Sequence, residues 1–458
     1  MAASPLTTRP FARPLIVGTL VALLSELLFL IRLGVPNKLV FDEVHYVPAA
    51  RALRDLSGPT NIEHPLLAKE LIALSLRWFG DEPFGWRFAS TLAGAATIAG
   101  VFALVHLLTG RLRASLIGSA LALMSFTIAV QARIAMLDTF LAAFLIWGIV
   151  VLSWSMRHAG YARWCAGAAL LGLATACKWA AGPYVAFAAV TYLRLRHRRP
   201  DRWPGMNPAL AVVLLGLVSV GTYFLTFAPA FFYTQDPLTL SRLIPFQLEM
   251  YARQTQILPP HTYQSNWWTW PLMQRPIWYL YEPVEGIQRG ILMIGNPAIM
   301  WGGLVAVAAL FWAWVKTDSA RLLAPAMLWV ASLLIWALIP KSLGFYYYYY
   351  PSGIFLVVAV TVALDHWRAA LRGWDELYLL ACFALLIYFL PVLCAEPLTE
   401  SAEVGTGPLA EIAAGAIAVR GNHDEAVNST TEAMNAEAQI AIEWTRRRLD
   451  VGQRRFLA

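Results

Sequence analysis

LIVGTLVALLSELLFLIRL, residues 15–33, followed after a short loop by Phe41-Asp42-Glu43-Val44-His45-Tyr46, decides how the rest of the chain is read. The first stretch is apolar over the length a bilayer demands. The acidic pair therefore falls at or just outside one membrane face. Adjacent carboxylates repel, which raises one of their pKa values. A carboxylate at that level can take a proton from a hydroxyl bound at the membrane surface. The same residues also read as a polar cap on a loop helix behind an anchor, and position alone does not choose between the two. Arg9 and Arg13 precede the run, as in a signal peptide, but the run is too long and no small-residue cleavage site follows. It is read as an uncleaved first helix with a cytoplasmic N-terminus. Glu26 inside it is costly in lipid and should face protein or a cavity.

Composition agrees with a membrane solvent. Of 458 residues, 59% are hydrophobic and 14% charged, where soluble chains carry about a quarter charged. The formal charge of +7 belongs to cytoplasmic loops and is poor grounds for nucleic-acid binding. Cys165, Cys177, Cys382 and Cys394 lie in or beside apolar runs. Their spacing predicts neither a zinc site nor a disulfide framework. No metal-ligand set or cofactor motif stands out. The 19 Trp and 17 Tyr suit interfacial anchoring and sugar stacking.

Further apolar runs cover residues 88–108, 114–130, 137–156, 165–176, 181–193, 209–231, 298–315, 322–339, 354–364 and 377–394. With the first run they predict an all-α polytopic protein of about eleven transmembrane helices. Arg111 and Arg113, Arg157 and Arg163, the cluster from Arg194 to Arg202, Lys316 and Arg321, and Arg368 and Arg372 all fall on the side of the N-terminus. The positive-inside rule makes that side cytoplasmic. Loops 34–84 and 234–295 are then external. The first should hold amphipathic interfacial helices over 49–56 and 66–79. The second, rich in Trp, Tyr, Pro and Gln, should form interfacial helices and a turn-rich lid. Residues 1–395 read as one membrane domain and 396–458 as a polar tail. That tail has an Arg-rich helical stretch over 430–456 and an N-glycosylation sequon at Asn428.

Charges at membrane depth or boundary are functional candidates. Besides Asp42 and Glu43, the predicted outer face gathers Glu63, His64, Lys69, Arg133, Asp138, Lys178 and Lys341, the last just before the tyrosines Tyr346 to Tyr350. Arg133 with Asp138 also fits a structural ion pair, Lys178 and Lys341 also fit snorkelling, and the tyrosine run also fits an aromatic belt. Carboxylates and cations together suit glycosyl transfer from a lipid-phosphate sugar. Phosphate already leaves well, so the reaction needs a base for the acceptor hydroxyl and fixed cations for the phosphate. A glycosidase would need two separated carboxylates, which sequence neighbours do not supply.

The blocks resemble the protein O-mannosyltransferase family, glycosyltransferase family 39, of the membrane-embedded GT-C type. Phe41-Asp42-Glu43-Val44-His45 is similar to its acidic motif, and Glu63-His64-Pro65-Leu66-Leu67-Ala68-Lys69 to its His-Pro-Pro-Leu-Gly-Lys block. Arg133 through Leu137-Asp138, Lys178-Trp179, and His261 through Trp267-Trp268, Trp270 and Arg275 resemble further elements, as do Gly295-Asn296-Pro297 and the tyrosine run before Pro351. The likeness covers about residues 15–391. It implies Asp42 as catalytic base with inversion at the sugar carbon, Glu43 helping to hold the acceptor, and Glu63 and His64 shaping the site. On charge and location, Arg133 and Lys178 become candidates for the phosphate, and Trp267, Trp268 and Trp270 for a lid. The implied donor is a polyprenyl-phosphate mannose and the acceptor a Ser or Thr of an exported polypeptide. The implied location is a bacterial plasma membrane with the site outside. Leu66 and Ala68 depart from the family block. Loop 234–295 has no room for the inserted sugar-binding repeat domain, which implies a bacterial-type member. Two alternatives stand beside this reading: the same mechanism with an envelope lipid such as lipid A as acceptor, and a polytopic transporter. Against the transporter, no paired broken helices recur in repeated halves.

Overall fold

A computed structural model describes residues 12–158 and 160–398. Its helices are α1 (Ala12–Leu30), α2 (Glu43–Arg54), α3 (Leu67–Phe79), α4 (Pro83–Thr109), α5 (Leu112–Leu123), α6 (Phe126–Gln131), α7 (Leu137–Ser155), α8 (Tyr161–Cys177), α9 (Pro183–Arg198), α10 (Pro208–Leu225), α11 (Leu243–Thr255), α12 (Pro297–Thr317), α13 (Ala320–Leu338), α14 (Tyr350–His366), α15 (Arg368–Leu371) and α16 (Trp374–Leu393). Among the described residues, eight helical stretches are long and apolar enough to cross a bilayer: Arg13–Leu30, Pro83–Thr109, Leu137–Ser155, Pro208–Phe232, Pro297–Thr317, Ala320–Leu338, Tyr346–His366 and Trp374–Leu393. The other three runs read as spans fold as shorter helices. Run 114–130 breaks at Met124-Ser125 into α5, of 12 residues, and α6, while α8 and α9 have 17 and 16 residues. At 1.5 Å per residue, α8 and α9 rise about 25 Å, a little under the hydrocarbon thickness of about 30 Å. The sequon and the 430–456 stretch lie outside the described residues.

Local sequence sets the helix ends. Pro83 opens α4 where a missing N–H costs nothing. Gly110 closes it in the left-handed region, its N–H donating to the His106 carbonyl. Asn296 caps α12 by accepting from the Ala298 N–H, with Pro297 at the first turn. The bundle runs outward from α14, which is almost wholly enclosed. α12, α13 and α5 pack on it, and a chain of neighbours continues through α4, α7, α8 and α10. Gly303 lets α12 approach α14: a Cβ there would stand 2.4 Å from Leu356 Cγ. α1 lies at the edge against α4, most of its surface exposed.

Both long loops gather at one end of the bundle. In the first, α2 and α3 pack on each other and on α4, as amphipathic spacing predicts. The second contains α11, a 3₁₀ turn at Trp267–Leu272 and an antiparallel hairpin, β1 (Ile277–Val284) with β2 (Ile287–Met293). The hairpin is an addition to the helices and turns expected there. Val284 faces Ile287 across a two-residue turn in which Glu285 and Gly286 both have positive φ, 55° and 77°. That is the turn conformation matching the twist of paired strands. The chain leaving α16 returns to this hairpin, where the Leu398 N–H donates to the Gln288 carbonyl.

Candidate active site

A buried ion pair fixes the loop that carries the acidic motif. The Glu43 carboxylate accepts from Arg87 Nε and Nη2, both at 2.9 Å. It also accepts from the Val40 and Ala135 backbone N–H groups, at 2.8 and 2.9 Å. Arg87 spends its remaining N–H groups on the carbonyls of Leu33, Pro36 and Lys38. Both side chains are fully enclosed. Glu43 was expected to help hold the acceptor; here its carboxylate is engaged inside the protein. Its four acceptor positions are taken, and it ties the 33–43 loop to α4 and to the segment before α7. Arg87 was missed in the sequence. Its signal was a charge at the start of a membrane-crossing helix.

Asp42 turns the other way. It sits at the N-terminal end of α2, where one residue's step rotates the side chain by about 100°. Its Oδ2 accepts from the hydroxyls of Tyr46 at 3.1 Å and Tyr347 at 3.4 Å. Burial raises its pKa, opposed by the nearby Lys178 charge and the Tyr46 hydrogen bond, with Asp138 pushing upward. Glu43 is not among the causes, so the repulsion expected between sequence neighbours is not what perturbs Asp42. A cavity of about 230 Å³ opens over it. Glu63, Lys341, Tyr347 and Tyr348 line that cavity, with His45, Arg253 and Gln254 among the other polar groups around it. Phe41 stacks on Tyr279 at 4.1 Å and meets the edge of Tyr347 at 5.6 Å. The tyrosine run is thus partly a wall of this site.

The cations play four different parts. Lys341 reaches the cavity, its Nζ 2.8 Å from the Tyr348 hydroxyl and 5.0 Å from that ring's centroid. Burial and the neighbouring Lys178 charge lower its pKa to about 8. Lys178 lies buried behind the wall, 5.0 and 4.8 Å from the Tyr347 and Tyr348 ring centroids. It is paired with Asp138 at 3.0 and 2.9 Å. Lys69 serves the loop itself, donating to the Asn61 and His64 carbonyls at 2.8 Å each, with burial lowering its pKa to about 7. Arg133 stands apart. It donates to the carbonyls of Phe29 at 3.0 Å and Ile31 at 2.7 Å, closing the C-terminal end of α1. The structure places it at that helix end and not in the cavity lining, away from the Asp42 site where a pairing with phosphate was expected. The Arg133–Asp138 pair is absent, Asp138 having taken Lys178.

The remaining candidates frame the mouth. Glu63 accepts from Asn61 Nδ2 at 3.1 Å. His64 Nδ1 lies 2.9 Å from Gln254 Nε2, which also donates to the Glu63 carbonyl. Burial, with the charges of Lys178, Lys341 and Lys69, lowers the His64 pKa well below the usual value and keeps the ring neutral. Gln254, on α11, gave no sequence signal, yet it fastens the second loop to the first. Trp179 Nε1 donates to the Tyr223 hydroxyl at 2.8 Å, away from the cavity lining. His261 packs against Phe345 with ring centroids 5.2 Å apart. Arg275 donates to the Thr262 carbonyl. Trp270 is buried against Trp336 and Tyr348, with Nε1 donating to Ser265 Oγ at 2.9 Å, while Trp268 is exposed. Among the described residues no group of His, Cys, Asp and Glu side chains is arranged to hold a metal ion.

A bundle of bilayer-length helices with its polar cavity built by the loops at one end is the GT-C class of membrane glycosyltransferase fold. The chain superposes on the S. cerevisiae protein O-mannosyltransferase Pmt1-Pmt2 complex bound to the sugar donor with a TM-score of 0.73, at 13% identity, over 86% of this chain and 92% of that one. It superposes on ArnT from Cupriavidus metallidurans bound to undecaprenyl phosphate at 0.54, with 15% identity, over 92% and 81%. Residues 63–224 match the family model of dolichyl-phosphate-mannose-protein mannosyltransferase, and residues 239–404 that of the C-terminal four TMM region of protein-O-mannosyltransferase. The chain belongs to the protein O-mannosyltransferase family and is a multi-pass membrane protein. Similar relatives named polyprenol-phosphate-mannose–protein mannosyltransferase come from Mycobacterium tuberculosis, 24% identical over 83% of this chain and 88% of the relative, and Mycolicibacterium smegmatis, 27% over 71% and 76%. A third, from Corynebacterium glutamicum, is 25% identical over 67% and 74%.

Proposed function

We propose that this protein transfers a mannosyl group from a polyprenyl-phosphate carrier to Ser or Thr hydroxyls of exported polypeptides, at the outer face of the membrane. The observation that carries the reading is Asp42 facing a cavity it shares with Lys341, with Lys178 behind the same tyrosine wall. The family relatives' donor and acceptor, as their names give them, support the substrates.

In this mechanism the acceptor hydroxyl enters from the mouth near His45 and Gln254. Asp42 accepts its proton as the oxygen bonds to the sugar carbon. The bond from that carbon to the phosphate oxygen breaks, and the polyprenyl phosphate leaves with the electron pair. A single displacement inverts the anomeric carbon. Burial makes Asp42 a stronger base than a solvated carboxylate. Lys341 stabilises the phosphate charge directly. Lys178 contributes less, because Asp138 already neutralises it. Glu63 is placed to accept from a sugar or acceptor hydroxyl, and Trp268 is the exposed element of the lid. The basic clusters at the far end of the bundle support a cytoplasmic N-terminus and an external cavity.

Purified enzyme, radiolabelled polyprenyl-phosphate mannose and peptide and lipid acceptors test the reading. Asp42→Asn should cut peptide mannosylation by roughly a hundredfold or more, with unchanged thermal stability and an inverted product from the parent enzyme. Near-normal transfer by the variant sinks the assignment of the base. A labelled glycolipid with no labelled peptide sinks the assignment of the acceptor.

A further inference from the structure

A second cavity, of about 310 Å³, lies at the opposite end of the bundle. The 3₁₀ turn Tyr346–Tyr349 and α14 after it connect the two sites, from Tyr347 and Tyr348 at the catalytic wall to Asp365 and His366 here, a rise of about 30 Å. The cleft is bounded by the C-terminal ends of α4, α12 and α14 and the starts of α5 and α13. Leu108, Leu322 and Val362, from helices that cross the membrane, give it an apolar wall. Its rim carries Arg111, Arg321 and His366 against one carboxylate, Asp365.

Arg111 is committed: its Nη1 meets both Asp365 oxygens, at 3.1 and 3.2 Å. Arg321 is not, having no ion-pair or hydrogen-bond partner among the described residues. It also sits in the first turn of α13, a helix with no acid in that turn and no side-chain cap. The helix dipole there is positive, so the guanidinium opposes the field of its own helix. A cation at a helix C-terminus would need no explanation; Lys316 at the end of α12 is one. Arg321 at an N-terminus, exposed on an apolar-walled cleft at the membrane boundary, lacks only an anion. Basic clefts between membrane helices bind anionic lipid headgroups by this combination.

We propose that this cleft binds the phosphate headgroup of an anionic phospholipid in the leaflet opposite Asp42. Arg321 provides the charge, Ser319 a hydroxyl, and Leu108, Leu322 and Val362 the surface for the chain below the headgroup.

The test is lipid retention by the full-length protein in nanodiscs of phosphatidylcholine doped with labelled phosphatidylglycerol, read by mass spectrometry after detergent extraction. The wild type should retain phosphatidylglycerol over phosphatidylcholine. Arg321→Gln should weaken that preference about fivefold, the contribution of one interfacial cation. Arg372→Gln, which removes an exposed charge outside the cleft lining at the same end, should leave it intact. Equal retention by Arg321→Gln and wild type overturns the proposal, as does an equal loss in Arg372→Gln. Displacement by inorganic phosphate at the concentrations that suffice for phosphatidylglycerol overturns the lipid as ligand and assigns the cleft to free phosphate. None of these readouts depends on mannosyl transfer.

Discussion

Replacing Glu43 with glutamine separates a structural role from an acceptor-holding one. Four donors converge on the two carboxylate oxygens. Arg87 Nε and the Ala135 N–H meet Oε1, while Arg87 Nη2 and the Val40 N–H meet Oε2. Glutamine supplies one oxygen and one NH₂, so either orientation leaves two donors facing a third. The substitution also removes the negative charge opposite a fully buried guanidinium. Breaking one side of such a pair costs about 3–5 kcal/mol, and two buried N–H groups left unpaired account for a similar amount. Glu43→Gln should therefore lower the Tm of the purified protein markedly, followed by tryptophan fluorescence. Transfer should fall through displacement of Asp42, in kcat more than in acceptor KM. Arg87→Met should destabilise comparably, and the double variant should cost less than the sum of the two. A Glu43→Gln protein with the parent's Tm and a raised acceptor KM alone would refute the reasoning and return Glu43 to the acceptor.

Arg133→Ala should lower stability by freeing the carbonyls at the end of α1 while leaving donor KM unchanged; a raised donor KM at normal Tm would place the phosphate there after all. Lys341→Met should raise donor KM. In the parent enzyme donor KM should climb as pH rises through about 8, where Lys341 loses its proton, and that dependence should vanish in the variant. Glu70 is half-buried and its pKa is raised to about 7, chiefly by loss of solvent around the carboxylate. The unfolded chain gives up this proton first, so stability falls as pH rises from the ordinary 4.5 towards 7. Glu70→Gln should raise Tm at neutral pH and flatten that decline, which melts across the interval will show.

Much of this architecture is written in apolar run length, because a bilayer enforces length and internal hydrogen bonding on each crossing helix. That is why the bundle and both long loops were legible. That Asp42 stands at a helix start just beyond the first apolar run was legible too, although position alone left a polar cap and a site residue both open. The division of labour between Asp42 and Glu43 was not. It depends on a rotation of one residue at a helix start and on Arg87, distant in sequence. Arg133 and Lys178 look alike as cations near a membrane face, yet one closes a helix and the other pairs with Asp138. Only packing distinguishes them. The hairpin carried a signal in Val284-Glu285-Gly286-Ile287, obscured because Glu replaces the usual Asn or Asp before the turn glycine.

The Tyr347 hydroxyl reaches Asp42 across 305 positions of sequence. During synthesis the acid emerges near the beginning, whereas the ring beside it arrives only after most of the bundle has been inserted. A nascent chain therefore displays the carboxylate without the enclosure that raises its basicity. With Asp42 as the proposed base, competence comes late, with the arrival of the tyrosine run, and a product ending ahead of residue 346 would lack that wall of the cavity.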